Sequence, residues 1–180
     1  MEQVTYNGLT FEPYILREQI DKRIKEIAAT ITADCEGKRP LFICVLNGAF
    51  SFASDLFRSV DFDAEISFIR LKSYSGMGST GVVKEVVCLS EDIKGRTVIV
   101  IEDIVDTGKT IKHLLETLSE KEPAELKVAT LLFKPEALEV DVKPDYVGFN
   151  IPSKFIVGFG LDIDGLARNL NDIYILKGND

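Results

Sequence analysis

Three acids and a short run of hydroxyl, glycine and lysine residues follow one apolar segment of the chain. Residues 97–101 read Thr-Val-Ile-Val-Ile, which predicts a buried strand. Glu102 and Asp103 come next, and residues 106–110 then read Asp-Thr-Gly-Lys-Thr before a helical pattern begins. In open α/β sheets, ligands bind beyond the carboxyl ends of the strands. The backbone N–H groups at this helix start predict an anion site, most naturally for a phosphate, and Gly108 allows close approach.

The same residues are compatible with two other interpretations. A Walker A loop needs a glycine five positions before Gly108, and Asp103 stands there, where its carboxylate would repel a nucleotide's phosphates. The plainer alternative is that Thr107 only caps a helix and that the acids are solvated. A strand that runs into Glu-Asp and then Asp-Thr-Gly-Lys-Thr is more specific than a helix cap alone, and it favours phosphate binding.

Hydrophobic periodicity predicts the elements that position this segment. A helix is predicted from about Pro13 to Asp34, because isoleucines recur at helical spacing at positions 20, 24, 27 and 31. Further helices are predicted from about residue 50 to Val60 and after residue 110. Strands are predicted at residues 41–46, 64–72, 82–89, 125–133, 146–151 and 173–176. Strands separated by helices predict an α/β fold with a mostly parallel twisted sheet flanked by helices, in a single domain spanning residues 1–180.

Composition excludes several classes of protein. The chain carries 29 acidic and 21 basic residues, a net charge of −8, which argues against nonspecific nucleic-acid binding. Its three cysteines include no Cys-x-x-Cys pair, which argues against a zinc site and suits a reducing cytoplasm. No apolar run approaches the roughly 18 residues of a membrane span, and the first ten residues contain no basic residue of a signal peptide. We therefore expect a cytoplasmic protein.

Residues 98–110 closely resemble the motif with which type I phosphoribosyltransferases bind 5-phosphoribosyl-1-pyrophosphate. The likeness covers nearly the whole chain, and the segments around Lys134 and at 155–168 resemble the members that act on 6-oxopurines. It implies the fold of that family, including a small hood formed by terminal segments. It also implies Mg²⁺-dependent transfer of the phosphoribosyl group to hypoxanthine and guanine, giving IMP or GMP and pyrophosphate, a purine salvage reaction.

The resemblance assigns roles around the sugar. Asp106 would lie near the purine N7 and act as general base. Glu102 and Asp103 would hold the ribose hydroxyls, directly or through Mg²⁺, and Asp162 would also bind Mg²⁺. The 5′-phosphate would be cradled by Thr107, Gly108, Lys109 and Thr110.

The resemblance also assigns the purine contacts. Lys134 would donate to O6, which selects oxo over amino purines because an amino group would set two donors face to face. Phe155 would stack on the purine, and the backbone around Lys154 and Ile156 would meet its edge. The residues alone favour a solvated Lys134 at a strand end and a core position for Phe155, and the family match overturns both interpretations.

The remaining assignments concern the pyrophosphate, which would contact Arg168 and a loop formed by Leu46, Asn47 and Gly48. Family members usually carry a basic residue where this chain has Asn47, so the contact here is expected through the backbone, in the family often beside a non-proline cis peptide. Residues 73–81 contain three glycines and are predicted to form a mobile lid. Ser73 and Tyr74 would reach the pyrophosphate when this lid closes.

Two other functions remain open from the sequence. One is a non-catalytic regulator of the same fold that senses a ligand and binds nucleic acid, which the net charge and the presence of Asp106 and Lys134 argue against. The other is a phosphoribosyltransferase for adenine, xanthine or a pyrimidine; Lys134 with Phe155 favours a 6-oxopurine, but xanthine differs only at the 2-position. A homo-oligomer, dimer or tetramer, is expected by resemblance, with no nucleic-acid or membrane partner.

Overall fold

Two β-sheets and three α-helices make up the computed structural model, which describes residues 2–73, 83–87 and 89–178. The strands are β1 (Val4–Tyr6), β2 (Leu9–Ile15), β3 (Leu41–Leu46), β4 (Glu65–Ser73), β5 (Val83–Val87), β6 (Thr97–Val105), β7 (Glu125–Phe133), β8 (Tyr146–Asn150), β9 (Ile156–Val157) and β10 (Ile173–Leu176). The helices are α1 (Arg17–Asp34), α2 (Phe50–Phe57) and α3 (Lys109–Ser119), with a 3₁₀ turn at Pro135–Ala137.

The larger sheet has the strand order β5-β4-β3-β6-β7-β8. Every neighbouring pair is parallel except β4 and β5, which are antiparallel. This arrangement confirms the predicted α/β fold. Because the chain passes from β3 to β4 on one side while β6 lies on the other, the carboxyl ends of β3 and β6 flank a switch point, where α/β sheets bind ligands.

Helices cover both faces of the larger sheet. On one face, α1 and α2 pack over β3, β6 and β7, and the four isoleucines of α1 at positions 20, 24, 27 and 31 are all buried as predicted. On the other face, Ile111, Leu114 and Leu118 of α3 lie against Val98 and Val100. Cys35 and Cys44 are free, buried core residues, and burial raises the pKa of the Cys44 thiol to about 12, with the charges of Glu102 and Asp103 adding to the effect.

The smaller sheet forms the hood and has the order β1-β2-β10-β9, with all neighbours antiparallel. It joins the two ends of the chain, as expected from the resemblance. Its own core contains Phe11, Val157, Ile163, Ala167 and Tyr174. No helix in the described part of the chain is long and apolar enough to cross a membrane.

Two predicted boundaries are wrong. The first helix begins at Arg17 instead of Pro13, because residues 9–15 alternate between the two faces of β2, with Phe11 and Ile15 buried. The strand predicted to end at residue 101 continues as β6 to Val105, since its pairing with β7 runs on to the last residue of both strands. Glu102 and Asp103 therefore lie within β6 and not beyond it.

Smaller differences concern element ends. Helix α2 ends at Phe57, three residues before Val60, and β8 ends one residue earlier than predicted. Strands β1, β2 and β9 were not predicted: β1 and β9 have only three and two residues, and residues 13–15 of β2 were assigned to the first helix. Residues 74–82 lie outside the described residues, so most of the predicted lid, including Tyr74, is among them.

Candidate active site

Asp106 and Lys134 meet at the carboxyl edge of the larger sheet. Val105 and Phe133 are paired in register at the ends of β6 and β7, so the next residue of each strand emerges beside the other. Lys134 Nζ donates to Asp106 Oδ2 at 2.7 Å. The Lys134 side chain is only 8% exposed, while that of Asp106 is 46% exposed. Lys134 is therefore a buried cation with an acidic partner and not a solvated lysine.

Glu102 and Asp103 form a buried acidic pair inside β6. Burial, followed by the charge of Asp103 and a hydrogen bond to it, raises the pKa of Glu102 well above its usual value. Burial also raises the pKa of Asp103, although the Ile104 N–H, at 2.8 Å from Oδ1, and the charge of Arg168 act in the opposite direction. Two carboxyl groups in one apolar strand end therefore favour a cation or hydroxyl donors as a ligand.

The chemistry of these donors fits Mg²⁺. Magnesium prefers hard oxygen ligands and is usually held by one or two carboxylates, with water and substrate phosphates completing its shell. No three His, Cys, Asp or Glu side chains form a metal-holding cluster among residues 2–73, 83–87 and 89–178. Asp162 Oδ1 forms an ion pair with Arg168, and Asp162 Oδ2 accepts a hydrogen bond from the Gly165 N–H, so both oxygens have partners within the hood segment.

The loop between β6 and α3 has the form of an anion site. Gly108, not Thr107, is the N-cap of α3, and its φ of 79° lies in the left-handed region that suits glycine. No side chain in the described part of the chain caps this helix, so the predicted alternative of a Thr107 cap is wrong. The ammonium group of Lys109 forms an ion pair with Glu139.

A cavity of about 100 Å³ opens on this loop. Its lining contains one of the buried acids, the candidate base and most of the phosphate loop, as we call residues 107–110: Glu102, Ile104, Val105, Asp106, Thr107, Gly108, Thr110 and Ile111. Glu102, Asp106 and the N-terminal end of α3 thus line one cavity, as the binding of a sugar phosphate would require.

Gly48 lies where three segments interlock. It follows β3 directly, after a cis peptide bond between Leu46 and the exposed Asn47. A Cβ on Gly48 would lie 1.6 Å from Asp103 Oδ2, and a Cβ on Gly160 would lie 2.1 Å from the Gly48 carbonyl oxygen. A side chain at position 48 would therefore displace Asp103, and a side chain at position 160 would collide with the Gly48 carbonyl.

Replacing Gly48 by alanine is expected to displace Asp103 and to lower kcat/KM for phosphoribosyl pyrophosphate by about 10²-fold. Steady-state kinetics, with the melting temperature measured in parallel, tests this. Gly178→Ala is the matched control, because its added methyl group would meet nothing within 4 Å. Wild-type kinetics in Gly48→Ala would show that the position of Asp103 does not matter.

Arg168 and Asp162 lie together in the hood segment that approaches Gly48. Arg168 donates from Nη1 to the Gly160 carbonyl at 2.6 Å and pairs from Nη2 with Asp162 Oδ1 at 2.6 Å. Arg168 also acts electrostatically on Asp103. This arginine thus links the hood to the acids of β6, and its planar fork suits phosphate oxygens.

Phe155 and Ile156 occupy the free edge of the hood. Phe155 is 45% exposed, and its ring centroid lies 6.0 Å from that of Phe11. The Phe155 carbonyl accepts from the Leu176 N–H on β10, so strand alternation directs the N–H and C=O of Ile156 away from β10. An aromatic face and free backbone groups are therefore available at this edge, beside the exposed Lys154.

The structure brings most of the predicted residues together in two groups. The sheet edge carries Leu46, Asn47, Gly48, Glu102, Asp103, Asp106, Thr107, Gly108, Lys109, Thr110 and Lys134, and the hood carries Lys154, Phe155, Ile156, Asp162 and Arg168. Ser73 is the last residue of β4, which is parallel to β3 and ends at the same edge of the sheet.

The sequence analysis missed two contributions to the site. One is Gly160, which fits against Gly48. The other is the segment 138–142, whose residues contact the phosphate loop. The alternation of Leu138, Val140 and Val142 with charged residues was a usable signal for the second.

Comparison with known proteins identifies phosphoribosyltransferases as relatives over almost the entire chain. A model of the phosphoribosyl transferase domain matches residues 15–164. A hypoxanthine-guanine phosphoribosyltransferase from Lactococcus lactis is 42% identical over 164 residues, covering 91% of this chain and 89% of that protein. One from Streptococcus agalactiae is 44% identical over 161 residues, covering 89% of each.

Solved structures of such enzymes have the same fold as this chain. The crystal structure of a hypoxanthine-guanine phosphoribosyltransferase from Bacillus anthracis has a TM-score of 0.86 at 41% identity and covers 93% of this chain and 97% of its own. A hypoxanthine phosphoribosyl transferase from Trypanosoma cruzi has a TM-score of 0.89 at 34% identity and covers 97% and 95%.

Proposed function

Because the chain belongs to the phosphoribosyltransferase family, with hypoxanthine-guanine phosphoribosyltransferases as relatives over about nine-tenths of its length, we propose that it is a purine salvage enzyme. It transfers the 5-phosphoribosyl group from 5-phosphoribosyl-1-pyrophosphate to hypoxanthine and to guanine. The products are IMP or GMP and pyrophosphate.

The pairing of Asp106 with Lys134 is the observation that carries the choice of purine. A 6-oxopurine presents N7 and O6 side by side on one edge. A carboxylate and an ammonium group 2.7 Å apart match that edge, with Lys134 donating to O6 and Asp106 facing N7. A 6-aminopurine would present a donor to the buried Lys134 and leave both donors unpaired.

The reaction follows from this placement. The purine N9 attacks ribose C1, the bond from C1 to the pyrophosphate oxygen breaks, and the pyrophosphate leaves with the bonding electron pair. The N7 proton of the base passes to Asp106 as the ring becomes neutral nucleotide. Phe155 stacks on the purine from the hood and fixes the plane in which N9 approaches C1.

The rest of the site holds the sugar and its phosphates. The N–H groups of residues 107–110 bind the 5′-phosphate at the start of α3, while Glu102 and Asp103 hold the ribose hydroxyls. Ribose C1 becomes oxocarbenium-like as pyrophosphate leaves, so nearby carboxylates favour the developing positive charge. Arg168 and the backbone at Asn47 and Gly48 bind the departing pyrophosphate.

Mg²⁺ is the proposed cofactor, with Glu102, Asp103 and Asp162 as its candidate ligands. When bound, it would neutralise charge on the pyrophosphate and so make it a better leaving group. The raised pKa values of Glu102 and Asp103 support this assignment, because a nearby cation compensates two buried carboxylates.

A purine panel with phosphoribosyl pyrophosphate and Mg²⁺ tests the proposed function. We expect IMP and GMP to form, and adenine to react about 10⁴-fold less efficiently, because Lys134 rejects its amino group. Chelation of the metal should abolish turnover, and added Mg²⁺ should restore it. Preferential use of adenine, xanthine or a pyrimidine would contradict the proposed substrate, and turnover unchanged by chelation would contradict the proposed cofactor.

Assembly and location are proposed on separate grounds. We propose one phosphoribosyltransferase domain that forms a homo-oligomer, a dimer or tetramer, since Phe50 and Phe68 are large apolar side chains that each remain 45% exposed. The small cysteine count supports the reducing cytoplasm as its location. The net charge of −8 supports the absence of a nucleic-acid partner.

A further inference from the structure

Residues 138–142 form a wall against the outer side of the phosphate loop. Within this outer wall, Leu138, Val140 and Val142 are partly buried, and the residues between them are exposed. A Cβ placed on Gly108 would lie 2.7 Å from Val142 Cγ1, 2.9 Å from Val140 Cγ2 and 3.0 Å from Leu138 Cδ2. Three aliphatic side chains thus converge on Gly108, the N-cap residue of α3.

Backbone hydrogen bonds hold the outer wall and the loop in one register. The Glu139 N–H donates to the Thr107 carbonyl at 3.0 Å, and the Lys134 N–H donates to the Val105 carbonyl at 3.0 Å. The side chain of Glu139 adds an exposed ion pair to Lys109. The segment from Lys134 to the outer wall is therefore attached to the end of β6 at Val105 and to the phosphate loop at Thr107 and Lys109.

Val140 differs from its two neighbours in the outer wall. Leu138 and Val142 also pack against the hydrophobic cluster beneath α3, within the part of the chain that the structure describes, whereas Val140 is not among the residues packed there. Its contact with Gly108 is therefore separable from the general packing of the core.

We propose that Val140 is a positioning residue for the 5′-phosphate: it holds Gly108 in place, so that the N–H groups of the phosphate loop point at the ligand before it binds. This inference rests on the proposed function of the loop. The physical reason is that glycine at φ 79° has little conformational preference of its own, so the loop needs external support. A loop that is already ordered binds its ligand without an entropic cost of ordering. The affinity for an anion also depends on the direction in which several N–H groups point.

The test is Val140→Ala, with the dissociation constant of ribose 5-phosphate measured by calorimetry. This probe carries the 5′-phosphate and lacks the pyrophosphate. We expect its affinity to fall about tenfold, and KM for phosphoribosyl pyrophosphate to rise by a similar factor. The dissociation constant of pyrophosphate and the KM for hypoxanthine should stay within about twofold of wild type, because their contacts lie outside the loop.

Three further variants separate positioning from general stability. Val140→Thr keeps the shape of the side chain and should retain the wild-type affinity for ribose 5-phosphate. Leu115→Ala removes a partly buried side chain of α3 that packs on the same cluster as Leu138 and Val142, so it matches the loss of stability without touching Gly108. Glu139→Gln removes the exposed ion pair and should have a smaller effect than Val140→Ala, because such pairs contribute little.

Selective loss of ribose 5-phosphate affinity in Val140→Ala, absent from Leu115→Ala, supports the proposal. Unchanged affinity for ribose 5-phosphate in Val140→Ala overturns the proposal. It is also overturned if Val140→Ala weakens the binding of ribose 5-phosphate, pyrophosphate and hypoxanthine equally and Leu115→Ala does the same. If Val140→Ala does not fold, loss of affinity in the isosteric Val140→Thr overturns it, and retention supports the shape argument. A wild-type protein that does not bind ribose 5-phosphate would contradict the proposed function itself.

Discussion

Replacing Asp106 by asparagine is expected to lower turnover by about 10²–10⁴-fold while leaving the affinity for both substrates nearly unchanged. The amide has the shape of the carboxylate, and its oxygen still accepts the hydrogen bond that Lys134 Nζ makes at 2.7 Å. What the amide cannot do is accept the N7 proton of the purine. The loss should therefore appear in kcat, measured with both substrates saturating, and not in their dissociation constants.

The control for this variant is Asp63→Asn, which removes the same charge from an exposed acid just before β4, at the opposite edge of the sheet. It should have wild-type turnover. Near wild-type turnover in Asp106→Asn would remove Asp106 from the mechanism. A parallel fall in substrate affinity would instead assign it to binding.

Lys134→Ala is expected to lower kcat/KM for hypoxanthine by about 10- to 150-fold, the equivalent of about 1.5–3 kcal/mol for a hydrogen bond from a charged donor. The effect should be large because the ammonium group is buried, so its bond to O6 is not exchanged for one to water. Asp106 keeps access to solvent, with 46% of its side chain exposed, so the protein should fold without its partner.

Measuring KM for each substrate separately, together with adenine as a competing base, checks this prediction. The ratio of kcat/KM for hypoxanthine to kcat/KM for adenine should fall, and KM for phosphoribosyl pyrophosphate should change little. Lys143→Ala, an exposed lysine farther along the same segment, is the control for loss of charge. Equal losses for both substrates would show that Lys134 acts structurally or binds a phosphate.

The sequence by itself determined the class of fold and the location of the phosphate loop. Short apolar runs such as residues 41–46 and 98–101, rich in β-branched residues and flanked by polar turns, indicate buried strands locally. The helical spacing of the isoleucines in α1 is equally local. The phosphate loop is also a local feature, since its glycine, its hydroxyls and the helix start are contiguous along the chain.

Boundaries at the ends of elements depended on partners that lie far along the chain. Pro13 belongs to β2 because β10, from the other end of the protein, pairs with it there. Glu102 and Asp103 lie inside β6 because β7 continues beside them to Phe133. Local propensity contains no information about how far a neighbouring strand extends.

Only the tertiary structure decided which chemical groups meet. Asp106 and Lys134 are 28 residues apart and form a pair because β6 and β7 are adjacent, parallel and in register to their last residues. A side chain on Gly48 would meet Asp103, which comes from β6, and Val140 lies against Gly108 although the two are far apart in the sequence. Such contacts follow from strand order and register, which are set by the packing of the whole chain and not by any short stretch of it.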